Sequence, residues 1–172
     1  MTLRELAADV GIQAGSLYNH FNNKQDFLFG MLQLVMTDLL DELQLKLEDA
    51  ADPREALLCF VECHVTFHCY RRKEILISNT ELRSLTPDNY RKIVSLRDEY
   101  ESHLKRILEW GLRENYWIYS DFKIATKLII GMMTSVGIWY RADGPVDISG
   151  IVKVYQAMIE GLLSNETGPQ TV

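Results

Sequence analysis

Residues 2–21 constrain this chain more than any other stretch. Leu3, Leu6, Ala7 and Val10 recur at helical spacing and give one apolar face. Thr2 suits the N-cap of that helix, with Glu5 placed to complete a capping box. Gly11 then ends it, as the residue that most easily turns left-handed after a last turn. Ile12 restarts the apolar pattern, which continues through Leu17 and Phe21. Two short helices across a tight glycine turn read as a helix-turn-helix. The other face of the second helix carries Gln13, Ala14, Ser16, Tyr18, Asn19 and His20. These side chains are small or hydrogen-bonding, which suits a helix laid in a major groove. Spacing alone fits equally any two short amphipathic helices joined by a glycine.

Helical periodicity continues to the C-terminus, with no strand pattern and no internal repeat, so the fold class is all-α. Asn23 is placed to cap a third helix running to about Asp49, with apolar positions from Phe27 to Leu47. Asp52-Pro53-Arg54-Glu55 opens the next, to about Arg72. A shorter helix spans residues 73–84, and Thr86-Pro87 opens a long one to Glu114. Ser120-Asp121 opens a helix reaching Tyr140, Gly144-Pro145 breaks the chain, and Asp147 caps a last helix to about Ser164. This divides the chain into a helix-turn-helix head over 1–26, a helical bundle over 27–165 and a polar tail over 166–172.

The motif core Gly15-Ser-Leu-Tyr-Asn-His-Phe21, with Lys24 following, resembles the DNA-binding signature of TetR-family transcriptional regulators. The resemblance implies that Tyr18 and His20 sit at the DNA surface, that Thr2 and Lys24 approach phosphates, and that Gln13, Ala14, Ser16 and Asn19 face base edges. Family members carry a further helix before this motif, often behind a basic arm. The head is therefore expected to be N-terminally incomplete, leaving Leu3, Leu6, Val10 and Leu17 with an uncovered side. Charge agrees with a lost basic arm. The chain carries a net −6, and residues 1–24 balance Arg4 and Lys24 against Glu5 and Asp9, 2 − 2 = 0.

Cys59, Cys63 and Cys69 fall within one helix, an odd count that favours reduced thiols over a disulfide framework. His64 and His68 lie four apart on the same helix, a spacing zinc can use. The cysteine pair is rotated away from the histidine pair, so lining of a core or pocket is the better reading, and no metal or cofactor is expected. Glycine-rich phosphate loops, Gly-x-Ser-x-Gly and His-Glu-x-x-His are all absent from the sequence, so an enzyme is not expected. No apolar run nears the ~20 residues of a bilayer span and no secretory pattern opens the chain, so a cytoplasmic protein without a membrane partner is expected.

Aromatic and methionine side chains crowd the middle helices. Phe60, Cys63, Phe67, Tyr90, Tyr100, Met132 and Trp139 are the candidate lining of an apolar effector pocket. The stretches Asn79 to Leu85, Leu96-Arg97-Asp98 and Gly131 to Arg141 resemble the effector domain of TetR-type regulators of fatty-acid, acyl-CoA and steroid catabolism. That resemblance implies an apolar acyl ligand or its CoA thioester, with Arg83 or Arg97 meeting its anionic groups. A structural salt bridge between Arg97 and Asp98 is the better reading of that pair. Leu128, Gly131, Val136, Ile151, Tyr155, Met158 and Leu162 make the last two long helices more apolar than a surface pair should be, which points to a four-helix homodimer interface. The combined expectation is a dimeric, ligand-responsive repressor on double-stranded operator DNA. The alternative is a helical small-molecule binding module that, truncated, does not bind DNA.

Overall fold

The computed structural model describes residues 23–118 and 121–164. Of the expected DNA-contacting residues, Thr2, Gln13, Ala14, Ser16, Tyr18, Asn19 and His20 lie outside these, and Lys24 is the first residue of the first described helix. Seven α-helices follow in order among the described residues: α1 Lys24–Leu47, α2 Pro53–Tyr70, α3 Arg72–Thr80, α4 Pro87–Arg113, α5 Phe122–Thr134, α6 Val136–Trp139 and α7 Ile148–Ser164. A 3-10 turn, Leu82–Ser84, joins α3 to α4.

The caps form as the sequence reads. The Asn23 Oδ1 atom accepts the Asp26 N–H at 3.0 Å, and Asp121 does the same for Ile124 at 3.2 Å. At α2, Asp52 Oδ1 accepts the Glu55 N–H at 2.8 Å while Glu55 Oε2 accepts the Ala51 N–H at 3.0 Å, and Pro53 fills the first turn. With 24 residues, α1 is about 36 Å long.

Two expectations change. The helix expected from Ser120 to Tyr140 is interrupted at Ser135, whose hydroxyl donates to the Met132 carbonyl at 2.7 Å and so competes with the helical ladder. Arg72 then caps the short α6, donating from Nε to the Gly137 carbonyl at 2.8 Å and from Nη2 to that of Ile138 at 3.0 Å. The second concerns length. The stretch Phe122–Trp139 is long and apolar enough, by composition, to cross a membrane, contrary to the sequence reading. Here it is bent, with Ala125, Ile129, Met133 and Val136 buried in the core.

Helix α2 is the centre, and all six other helices pack against it. The main core gathers Leu39 and Leu43 of α1, Leu57, Phe60 and Val61 of α2, Leu104 and Leu108 of α4, Ile129 and Met133 of α5 and Ile159 of α7. A smaller cluster of Phe27, Leu28, Leu32, Ile77, Leu85 and Ile93 ties the first turns of α1 to α3 and α4. Beside it the Gln25 side chain bridges to the α3–α4 connection. Its Nε2 donates to the Ser84 carbonyl at 2.5 Å, and its Oε1 accepts the Thr86 N–H at 3.1 Å.

The end of α4 turns back through Asn115, at φ 60°, a conformation asparagine tolerates. Trp117 then lies against Gly111, its Nε1 donating to the Leu108 carbonyl at 2.7 Å. A Cβ on Gly111 would stand 1.9 Å from Trp117 Cζ2. Gly111→Ala is therefore expected to expel the indole and cost about 1–3 kcal/mol, as core overpacking does. Urea unfolding followed by tryptophan fluorescence checks this, and a wild-type midpoint would refute the contact.

Candidate functional site

A cavity of about 180 Å³ opens among α1 to α5. Met36 and Leu39 of α1 face Ile75 of α3 and Ile130 of α5 across its apolar part. The polar part is built by His64 and His68 of α2, Ser78 and Asn79 of α3, Arg97, Tyr100 and Glu101 of α4, and Thr134 of α5.

Helical spacing places the two imidazoles one turn apart, and they stack at a centroid distance of 3.9 Å with ring planes 11° apart. His64 spans the bundle, its Nδ1 3.0 Å from the Tyr100 hydroxyl and its Nε2 3.2 Å from Thr134 Oγ1. His68 Nδ1 donates to the His64 carbonyl at 2.8 Å, which leaves Nε2 as the acceptor of a neutral ring. Burial holds both rings neutral. It pushes His64 well below the usual imidazole range, helped by His68, and brings His68 down to about 4, with the Arg97 charge adding to the effect. Burial likewise raises the Tyr100 phenol well above its ordinary value and the Cys63 thiol to about 12.

Arg97 is the cation of this site. Its Nη2 donates to the Ser78 carbonyl at 3.0 Å, to Ser78 Oγ at 2.9 Å and to Asn79 Oδ1 at 3.4 Å. Among the described residues it pairs with no carboxylate, Asp98 included. Glu101, the acid in the wall, is engaged by Lys127 Nζ at 2.7 Å.

Of the expected pocket residues, Arg97 and Tyr100 line this cavity. Phe60, Cys63 and Phe67 are buried in the core behind it, with the Phe60 ring 5.0 Å from that of Tyr100. Arg83 lies exposed on the 3-10 turn, and Tyr90 is exposed near the start of α4. Met132 and Trp139 instead line an outward-facing apolar groove of about 330 Å³, shared with Val146, Ile151, Val154, Tyr155 and Met158. The expected interface divides in the same way. Val136, Ile151 and Tyr155 are buried within the subunit, whereas Leu128 and Met158 are each 57% exposed, and Gly131 and Leu162 are exposed beside them. Sequence reasoning missed Ser78 and Thr134 as lining. For Thr134 the signal is a polar residue ending a largely apolar helix, whereas Ser78 sits in a mostly polar one and gives no such signal. Among the described residues no group of three or more His, Cys, Asp or Glu could hold a metal ion.

Two family profiles match this chain. One, described as bacterial regulatory proteins of the tetR family, covers residues 1–31, and the other, described as a tetracyclin repressor-like C-terminal domain, covers residues 50–163. The chain belongs to the TetR family and is a TetR-family transcriptional regulator. It is similar to the HTH-type transcriptional repressor KstR2 of Rhodococcus jostii, at 24% identity over 166 residues, 95% of this chain and 81% of that protein. Among solved structures it resembles the TetR-family regulator PfmR of Thermus thermophilus, with a TM-score of 0.81, 28% identity and coverage of 94% and 88%. The fold of AibR, solved with isovaleryl coenzyme A and operator DNA, superposes with a TM-score of 0.78 at 21% identity, covering 92% of this chain and 86% of that one.

The neutral histidine pair has a consequence for stability. The unfolded chain takes up a proton at His68 near pH 6.5, the folded chain only near 4. Stability is therefore full above pH 6.5 and falls as the pH drops toward 4, by on the order of 3 kcal/mol from His68 across that window. Urea midpoints from pH 7.5 to 4.5 should decline accordingly, and His68→Leu should flatten the slope. An unchanged slope would show that the ring is not held neutral.

Proposed function

We propose that this regulator is a homodimeric repressor released from its operator by a small effector bound in the cavity of α1 to α5. The observation that carries the proposal is that α1 contributes Met36 and Leu39 to the cavity wall. The same helix begins at Lys24, inside the region matched by the DNA-binding profile. An occupant that pushes on α1 therefore pushes on the element leading to the head. Differential binding of only ~1–3 kcal/mol suffices for such a switch. The Gln25 bridge to Ser84 and Thr86 supports a second connection, from α3 and the 3-10 turn to the first turn of α1.

An effector with an apolar body and an anionic group, acyl or acyl-CoA-like, suits the mixed lining, and AibR was captured with such a thioester. The name of the fatty acid metabolism regulator of Bacillus subtilis points the same way. The profile match over residues 1–31 favours this over a stand-alone binding module. On this reading Gln13, Ala14, Ser16, Tyr18, Asn19 and His20 present the recognition helix. Paired heads would enter successive major grooves about 34–36 Å apart.

Exposed Ile124, Leu128 and Gly131 on α5 and Val154, Met158 and Leu162 on α7 support dimerisation through these two helices. A Cβ on Gly131 or Gly161 would meet nothing within 4 Å, leaving room for close approach of a second copy. With an operator selected from random-sequence DNA, sedimentation of the wild-type chain should give a dimer. Leu128→Glu should give a monomer whose operator affinity is at least about tenfold lower, because one half-site is lost. A wild-type monomer, or a monomeric variant with full affinity, would refute the arrangement.

A further inference from the structure

Resting on the proposal that this cavity holds the effector, we infer that the effector is a free carboxylate with a short hydrocarbon tail, its anionic group received by Arg97. Four features of the cavity support that class over a neutral ester or a bulky thioester.

The first is how Arg97 is held. A structural guanidinium in this chain either takes carboxylates, as Arg71 does with Asp38 at 3.0 Å and Glu74 at 2.8 Å, or spreads its donors over backbone carbonyls, as Arg72 does from Nε and Nη2 to Gly137 and Ile138. Arg97 instead leans three neutral acceptors on a single nitrogen, Nη2, while Nε and Nη1 make no hydrogen bond among the described residues. A guanidinium with unused donors at a cavity wall is arranged for the planar, two-pronged contact that a carboxylate gives.

The second is the charge balance. His64 and His68 are neutral and the Tyr100 phenol is protonated, so neither ring pair nor phenol offsets the guanidinium. The negative charge of Glu101 is met by Lys127 at 2.7 Å. One positive charge is left over, and a single carboxylate would cancel it. The uncharged carbonyl of an amide or ester would not.

Shape and size are the third and fourth. Arg97, Ser78, Asn79 and His68 supply polar groups, and Met36, Leu39, Ile75 and Ile130 supply an apolar remainder. A molecule with one charged end and one hydrocarbon end meets both. The volume, about 180 Å³, is below the ~300–1,000 Å³ of pockets for drug-sized ligands, so a short tail fits inside and a coenzyme A group would have to lie outside. Drawing Arg97 toward a carboxylate would also loosen its hold on Ser78 and Asn79. Those residues lie at the end of α3, next to the 3-10 turn whose last residue, Ser84, is gripped by Gln25.

The test is titration calorimetry on the full chain at pH 7.5 with hexanoate, benzoate, neutral hexanamide and hexanoyl-CoA. At least one acid should bind roughly tenfold or more tightly than hexanamide. Arg97→Gln should weaken acid binding roughly ten- to hundred-fold, the range for a lost charge-assisted hydrogen bond, and leave hexanamide unchanged. Arg97→Lys, which keeps the charge without the fork, should retain part of the affinity. Equal binding of hexanoate and hexanamide by the wild-type chain, which needs no variant to fold, would overturn the inference. So would full acid affinity in Arg97→Gln, or binding of neither acid. Binding of hexanoyl-CoA alone would remove the carboxylate but leave an effector cavity standing. Tight acid binding that leaves operator affinity unchanged would keep the anion site and remove its role as effector.

Discussion

Everything in the bundle depends on burying most of one helix. Helix α2 buries Ala56, Leu57, Phe60, Val61, Cys63, Val65 and Phe67, leaves only Arg54, Glu55, Glu62 and Tyr70 exposed, and every other described helix packs against it. An apolar surface that wide cannot face water and makes α2 the interior element. The two polar side chains it also buries, His64 and His68, are tolerable only because they are hydrogen-bonded and uncharged. Phe60 packs on Tyr100, Tyr100 meets His64, and His64 reaches Thr134, so α2, α4 and α5 are tied together through one polar chain inside an apolar core.

That chain is also the wall of the cavity, which makes structure and site hard to separate. The lining is drawn from five helices, each of which contributes at least one residue. Among the described residues its one charge without an opposite partner, Arg97, stands on α4, facing acceptors on α3. A family of regulators can vary its effector by changing such lining residues without altering the packing of α2.

Helix α1 serves two ends. Its middle belongs to the main core through Val35, Met36, Leu39 and Leu43, and its first turns belong to the small cluster with Ile77, Leu85 and Ile93. The Gln25 amide adds a directional contact to the α3–α4 connection. On the proposed reading, an element pinned at both places would convert a change beside Met36 into a change beside Lys24. The outward faces of α5 and α7, by contrast, leave Ile124, Leu128, Val154, Met158 and Leu162 exposed among the described residues.

The sequence by itself determined the helical class, the caps at Asn23, Asp52 and Asp121, and the family through the Gly15 to Phe21 motif. These rest on local chemistry: periodicity of apolar residues, side chains that accept backbone N–H groups, and a short contiguous signature. It also singled out Arg97 and Tyr100. What it left open was depth and direction. Val136, Ile151 and Tyr155 read as interface residues just as Leu128 and Met158 do, because an apolar side chain is equally apolar whether its partner is the same subunit or another. Met132 and Trp139 were grouped with Phe60 on composition, yet they line a different surface. The break at Ser135 depends on one hydroxyl choosing the Met132 carbonyl, and the open charge of Arg97 depends on which carboxylates fail to reach it. Only the tertiary structure decides such matters, because they are set by residues distant in the chain that packing brings together or keeps apart.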